Sequence, residues 1–310
     1  MLITALPGRR VRAIECRAYP PLARKACLMP IPVPEALDLQ ADVADGKIDD
    51  LRRPGRYLVS SMLAGAFIGV AVVLLLSATG PLNAASSPWT KTVQGLVFGI
   101  ALTAVVFGGA ELSTGNMMTM VQGVLVRRRG VGAAAAVIVV SFVGNLLGSV
   151  VFAWLVHEGG VLSIGASAGH PGPGAALLAS LIKTKTAESA SALFFRGVLC
   201  NFLVCLAVWM AARTKSDGAK LALIFWCLLA FISSGFEHVV ANMTTFSLGL
   251  LDGVPGATIG AFGRNLLFVG LGNLVGGGLL VGAAYAVLGS RSRASAPPVP
   301  AAEELATTGS

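Results

Sequence analysis

The sequence predicts an all-α polytopic membrane protein whose six transmembrane helices form an inverted 3+3 repeat, with helices two and five broken. Three observations carry that expectation. Hydrophobic residues make up 55% of the 310 positions and charged residues only 12%, about half the charged fraction of a soluble domain. Six apolar runs are long enough to cross a bilayer, which takes ~20 residues. One spaced pattern, Gly-x-Glu-x-x-x-x-Asn-Met, interrupts the second and the fifth of those runs.

Residues 1–55 are rich in proline and hold no long apolar run, so they read as a cytoplasmic leader rather than a cleaved signal or a span. Within it, PEALDLQADVADGK (34–47) places Leu37, Ala41 and Ala44 on one face, as a short amphipathic helix requires. Residues 1–28 differ in character from the rest, and Met29 offers a natural start, so 1–28 are expected to be a non-native extension. The channel domain is expected at 56–290, with spans near 57–79, 94–126, 131–156, 188–212, 219–250 and 265–289. Residues 291–310 read as a disordered cytoplasmic tail.

The net charge of +8 raises the question of nucleic acid, and the positions of the 23 Lys and Arg residues argue against it. They cluster at the ends of apolar runs. Ten precede Tyr57, three form Arg127–Arg129, three follow the fourth run (Arg213, Lys215, Lys220), and Arg291 and Arg293 follow the sixth. In an alternating topology these groups share one side, which the positive-inside rule makes the cytoplasm for both termini of a cell-membrane protein. The other side receives only Lys91, Lys183, Lys185 and Arg264.

The second and fifth runs are too long for one ordinary span and polar at their centres, which suggests paired half-helices joined by non-helical chain. Such a break must face protein or water, never lipid. The residues there match: GAELSTGNM (109–117) and GFEHVVANM (235–243) share glycine, glutamate, asparagine and methionine at identical spacing. A second match, GNLLG (144–148) with GNLVG (272–276), joins the third run to the sixth at nearly the same offset. A repeat of three spans enters the membrane upside down in its second copy, and substrate sites of transport proteins lie where such halves meet.

A charge near the bilayer centre costs at least ~2.5–3.5 kcal/mol, so Glu111 and Glu237 need a return. The preferred reading has each carboxylate accept hydrogen bonds from backbone N–H groups freed at its break, with Asn116 and Asn242 as further structural residues. The alternative has the glutamates carry protons or cations. His238 stands opposite Leu112 of the first copy and so breaks the symmetry. An imidazole can donate a hydrogen bond to an anion or hand it a proton, with a reference pKa of ~6.5. Thr114 offers a hydroxyl at the other break, next to a half-helix N-terminus. Asn201, in the fourth run, either orients the histidine or bonds between helices.

No enzymatic constellation is apparent. Glu237-His238 lacks a second histidine at metal-ligand spacing, His157 and His170 fall in an extramembrane loop, and no Gly-x-x-x-x-Gly-Lys-Ser/Thr phosphate loop occurs. The five cysteines, Cys16, Cys27, Cys200, Cys205 and Cys227, suggest neither disulfide nor metal site. No cofactor is implied.

In GAELSTGN (109–116), RGVLCNFLVCLAVWMA (196–211) and FISSGFEHVVANM (231–243), the chain resembles the formate/nitrite transporter family, over about Tyr57 to Leu288. YLVSSMLAGAFIGV (57–70) and FWCLLAFISSGFEHVVANMT (225–244) look most like its nitrite channels. The resemblance implies an aquaporin-like protomer, a homopentamer in the lipid bilayer, and a pore through each subunit for nitrite and protons. Formate or a broader short-chain monocarboxylate is the alternative, and a membrane-embedded enzyme the alternative of another class. It further implies that His238 and Thr114 meet in the pore accompanied by Asn201, that Phe98, Leu102, Leu112 and Phe231 form apolar constrictions, and that Lys185 draws anions into the outer vestibule. One departure stands out. The family commonly has Phe before the threonine where this chain has Ser113, which implies a wider or wetter pore there.

Overall fold

The computed structural model describes residues 30–126 and 129–294. The expected extension 1–28, with Cys16 and Cys27, the cations Arg127 and Arg128, and the tail from 295 onward lie outside the described residues. Apart from one isolated bridge, between Ser167 and His170, the described residues form helices, turns and loops. A chain surrounded by lipid has to satisfy its backbone within each segment, and helices do this.

Five helical stretches are long and apolar enough to cross a membrane: Pro54–Ala84, Thr90–Gly108, Val131–Glu158, Ala190–Ala212 and Ile259–Ser290. The remaining apolar run arrives as two shorter helices. In chain order the elements are α1 (Val33–Asp50), α2 (Pro54–Ala84), α3 (Thr90–Phe98), α4 (Ile100–Gly108), α5 (Ser113–Leu125), α6 (Val131–Glu158), α7 (Pro173–Ala187), α8 (Ala190–Ala212), α9 (Asp217–Ser233), α10 (Val239–Leu251), α11 (Ile259–Leu274) and α12 (Ala284–Ala294). A π-helical stretch, Val275–Ala283, joins the last two. The helix thus continues four residues past the point where the tail was expected to begin.

Three features differ from the sequence reading. First, α7 lies in the connection between the halves, where a loop was expected; Pro173 opens it from the first turn, where a missing N–H costs nothing. Second, His157 belongs to the last turn of α6 rather than to that loop, because the helix outlasts its apolar stretch. Third, nothing in the residue pattern announced the π stretch. Its run Gly276-Gly277-Gly278 allows neighbours so close that a Cβ on Gly277 would stand 2.4 Å from Asn201 Nδ2.

Each half of the chain has the same order: a short helix (α1, α7), a long helix (α2, α8), a broken segment (α3–α5, α9–α10) and another long helix (α6, α11). Within each half the two long helices pack against one another, α2 on α6 and α8 on α11. Glycines of the second repeated motif set their distance. A Cβ on Gly148 would sit 1.9 Å from the carbonyl oxygen of Met62, and one on Gly276 2.1 Å from that of Val198. Small residues that admit backbone contact are a common means of helix association in lipid. Helix α1 does not lie apart from the bundle. It buries Ala36, Leu37, Gln40, Ala41, Ala44 and Lys47 against α5, α12 and their neighbours.

Candidate functional site: two helix breaks and the path between them

Both breaks begin with a glycine in the left-handed region, Gly109 (φ 70°) and Gly235 (φ 72°), a conformation that a side chain disfavours. The chain then runs extended to the next helix, which starts at Ser113 in one half and Val239 in the other. Breaking a helix frees backbone groups, and two asparagines take them up identically. Asn145 Oδ1 accepts from Ser113 N–H (2.9 Å) while its Nδ2 donates to the carbonyls of Ser61 and Glu111 (both 2.8 Å). Asn273 Oδ1 accepts from Val239 N–H (2.9 Å) while its Nδ2 donates to the carbonyls of Gly197 (2.8 Å) and Glu237 (3.0 Å). Both asparagines are fully buried. They are the shared residues of the second repeated motif, which the sequence exposed without revealing this task.

The glutamates do something other than expected. Among the described residues their carboxylates meet side chains and no backbone N–H. Glu111 takes an ion pair from Lys47 of α1 and a bond from Asn116 Nδ2 (3.4 Å). Glu237 takes an ion pair from Lys185 of α7 (2.6 Å) and a bond from Asn242 Nδ2 (2.7 Å). The spacing Glu-x-x-x-x-Asn thus closes a side-chain bond across each break. Both carboxylates are buried, 7% and 6% exposed, and a buried carboxylate without a partner would be prohibitive. Lys47 was missed because it shares no local motif with Lys185. Only the helices show that each precedes the first long helix of its half.

Between the breaks lies the asymmetry. His238 Nε2 and Thr114 Oγ1 are 3.1 Å apart, so the residues expected to meet do meet. His238 also caps α10, its Nδ1 accepting from Ala241 N–H (3.2 Å). Leu112 occupies the equivalent position before α5 and leaves that helix without a side-chain cap. The imidazole therefore performs a structural task that its counterpart omits.

Phe98, Leu102, Leu112 and Phe231 come together, with Ile68, Ala101, Val204 and Leu228, around one narrow cavity of about 10 Å³ that His238 also lines. Phe98 and Phe231 meet edge to face (centroids 5.8 Å) and His238 lies beside Phe231 (6.2 Å). These three also line a larger vestibule of about 370 Å³, together with Lys91, Gln94, Lys185, Glu188, Arg196 and residues of α10. The phenylalanines divide the vestibule from the cavity, while Leu102 and Leu112 line only the cavity.

Asn201 takes the second of its two expected roles, and Ser113 lies off the cavity. Asn201 makes no bond to His238. Its Nδ2 donates to the carbonyls of Asn273 (2.7 Å) and Thr114 (3.2 Å), which joins the halves and fixes the backbone of the threonine. Ser113 gives its N–H to Asn145, but its hydroxyl is buried without a hydrogen-bond partner among the described residues and does not line the cavity. Its side chain, like that of Thr114, is fully buried. No group of three or more His, Cys, Asp or Glu residues placed to hold a metal occurs among the described residues. The free cysteines Cys200, Cys205 and Cys227 are buried.

Comparison with known proteins agrees with this architecture. The family model "Formate/nitrite transporter" matches residues 35–287. The nitrite transporter NirC of Salmonella typhimurium is 41% identical over 247 residues, covering 79% of this chain and 87% of that protein. Two solved structures share the fold. One, described as an FNT family ion channel, has a TM-score of 0.75 at 38% identity and covers 82% of this chain and 98% of its own. The other, described as a pentameric formate channel with formate bound, has a TM-score of 0.65 at 27% identity and covers 76% and 98%. These relatives are transporters and channels rather than enzymes. With four-fifths of its length matched by the family model and both helix breaks inside that match, the chain belongs to the formate/nitrite transporter family.

Proposed function

We propose that the protein conducts nitrite across the cytoplasmic membrane, as a homopentamer with one path per subunit and both termini in the cytoplasm. The observation that carries the reading is the bond between fully buried Thr114 and His238, the imidazole that lines both the vestibule and the apolar cavity. The likeness to nitrite and formate transport proteins supports the substrate class, and the pentameric relative supports the assembly.

Taking a bare anion through the apolar cavity is costly, so the passenger has to be compensated. In this reading the pair acts as a relay. Because Nδ1 accepts from Ala241, the neutral ring carries its proton on Nε2, where it faces Thr114 Oγ1. The threonine, which is fully buried and lines neither space at rest, accepts that proton's bond and in this reading turns its own hydroxyl to the anion when the anion arrives. Full neutralisation takes a further step. A proton from solvent joins the ring, the bond to Ala241 N–H is given up at a cost of about 1 kcal/mol, and the anion's charge compensates the imidazolium. Anion and proton then leave together as the neutral acid, and the ring resumes its capped form.

The test is nitrite flux into proteoliposomes at two pH values. Wild-type flux should rise as pH falls. His238→Ala should lose that dependence and about ten- to a hundredfold of the flux at the lower pH, the worth of one hydrogen bond to a charged group, while the assembly persists. A pH profile unchanged by the substitution removes the histidine from the mechanism. Formate is the second reading, favoured by the structural likeness to a formate channel, and nitrite should outcompete it in the same vesicles.

A further inference from the structure

The vestibule contains three cations and two acids, and their pairing is uneven. Lys185 is held by Glu237, with Nζ 2.9 and 2.6 Å from the two carboxylate oxygens. Arg196 is held by Glu188, Nη1 to Oε1 at 2.6 Å. Lys91 lines the same wall, and among the described residues its ammonium has no hydrogen bond or ion pair. It lies in the first turn of α3, exposed, while its backbone carbonyl accepts from Ser233 Oγ (3.3 Å) and so is tied to the end of α9.

We infer that Lys91, rather than Lys185, is the residue that captures the anion in the vestibule. The inference rests on the transport reading above and names the residue that would serve it. Summed over the wall, two carboxylates neutralise two of the three cations, and the remaining positive charge sits on the one ammonium free to exchange its hydration for a passing anion. Lys185 is committed. Its ammonium completes the ion pair that a buried Glu237 requires, and detaching it to bind an anion would strand that carboxylate at several kcal/mol. Lys91 carries no such obligation. The charges facing it from neighbouring elements are Lys185, Arg196 and Glu237. The two cations tilt the local potential further toward anions, and Glu237 is already balanced by Lys185.

Position agrees with this role. Along α3 the vestibule meets Lys91, then Gln94 one turn on, then Phe98 two turns on at the entrance to the apolar cavity. Residues three, four and seven apart share a helix face. An anion drawn to Lys91 would therefore descend one helix face past an amide to the phenylalanine that bounds the histidine's cavity. Low-dielectric walls focus such a charge and raise local anion concentration, and salt screens it.

The experiment measures nitrite flux, at nitrite concentrations well below saturation, into proteoliposomes containing the full chain. Wild type, Lys91→Gln, Lys91→Arg and Lys185→Gln are compared at ionic strengths of about 0.01 M and about 1 M, where the screening length falls from about 30 Å to about 3 Å. Lys91→Gln should lower flux by about three- to tenfold at low ionic strength and by little at high. Lys91→Arg should keep wild-type flux. Lys185→Gln should lose flux at both ionic strengths together with thermal stability, because it unpairs Glu237. Wild-type and Lys91→Gln fluxes that match at low ionic strength would overturn the assignment, as would a defect that salt leaves untouched. A wild-type protein that passes no nitrite overturns the transport reading instead, so the two failures are distinct.

Discussion

At the scale of single residues, both helix breaks are held by charge and amide pairs whose partners come from distant segments. The Lys47–Glu111 and Lys185–Glu237 pairs are buried, and a buried pair is worth little net stability while either half alone is expensive. Lys47→Met should therefore cost about 3–5 kcal/mol. Lys47→Met combined with Glu111→Gln should recover much of that loss, as read by thermal unfolding in detergent. Additive losses would show that the two side chains do not act as a pair. The glutamates were legible in the sequence because a carboxylate inside an apolar run stands out at once. Their partners were not. Lys47 looks like any leader cation until α1 turns it inward, and Asn201 points to carbonyls rather than to His238 because the frame of Asn273 presents one there.

At the scale of elements, the glycines of the repeated GNLxG motif decide how closely the long helices approach. Gly276→Ala would push a methyl toward the Val198 carbonyl and should destabilise by about 1–3 kcal/mol. Gly132→Ala, in α6 with open space around it, should be neutral or stabilising by up to about 1 kcal/mol. The order of the two melting temperatures checks the assignment. Segment positions were readable from hydropathy, since apolar length and polar interruption are composition facts. The π stretch and α7 were not. A glycine run permits many backbone geometries, and which is taken depends on what packs against it. Helix α7 carries two lysines and several small residues, a pattern shared by loops.

At the scale of the whole molecule, the protomer is two similar halves that meet at His238 and Thr114. The proposed pentamer should appear in native mass spectrometry of the detergent-extracted protein as five copies of the chain, and a monomer there would contradict it. The repeat was legible because two spaced matches kept register. What each half does differently was legible only in part: the histidine was visible, whereas its double duty as cap and donor needed the geometry.

Exchange the two halves of the chain, and nearly every brace lands on an equivalent: Lys47 on Lys185, Glu111 on Glu237, Asn145 on Asn273. The pair at the centre lands on residues unlike itself, His238 on a leucine and Thr114 on a valine, Val240. The scaffold is close to a palindrome, and a palindrome reads the same from either end. Any sense of inside and outside along this path comes from the few letters that break it.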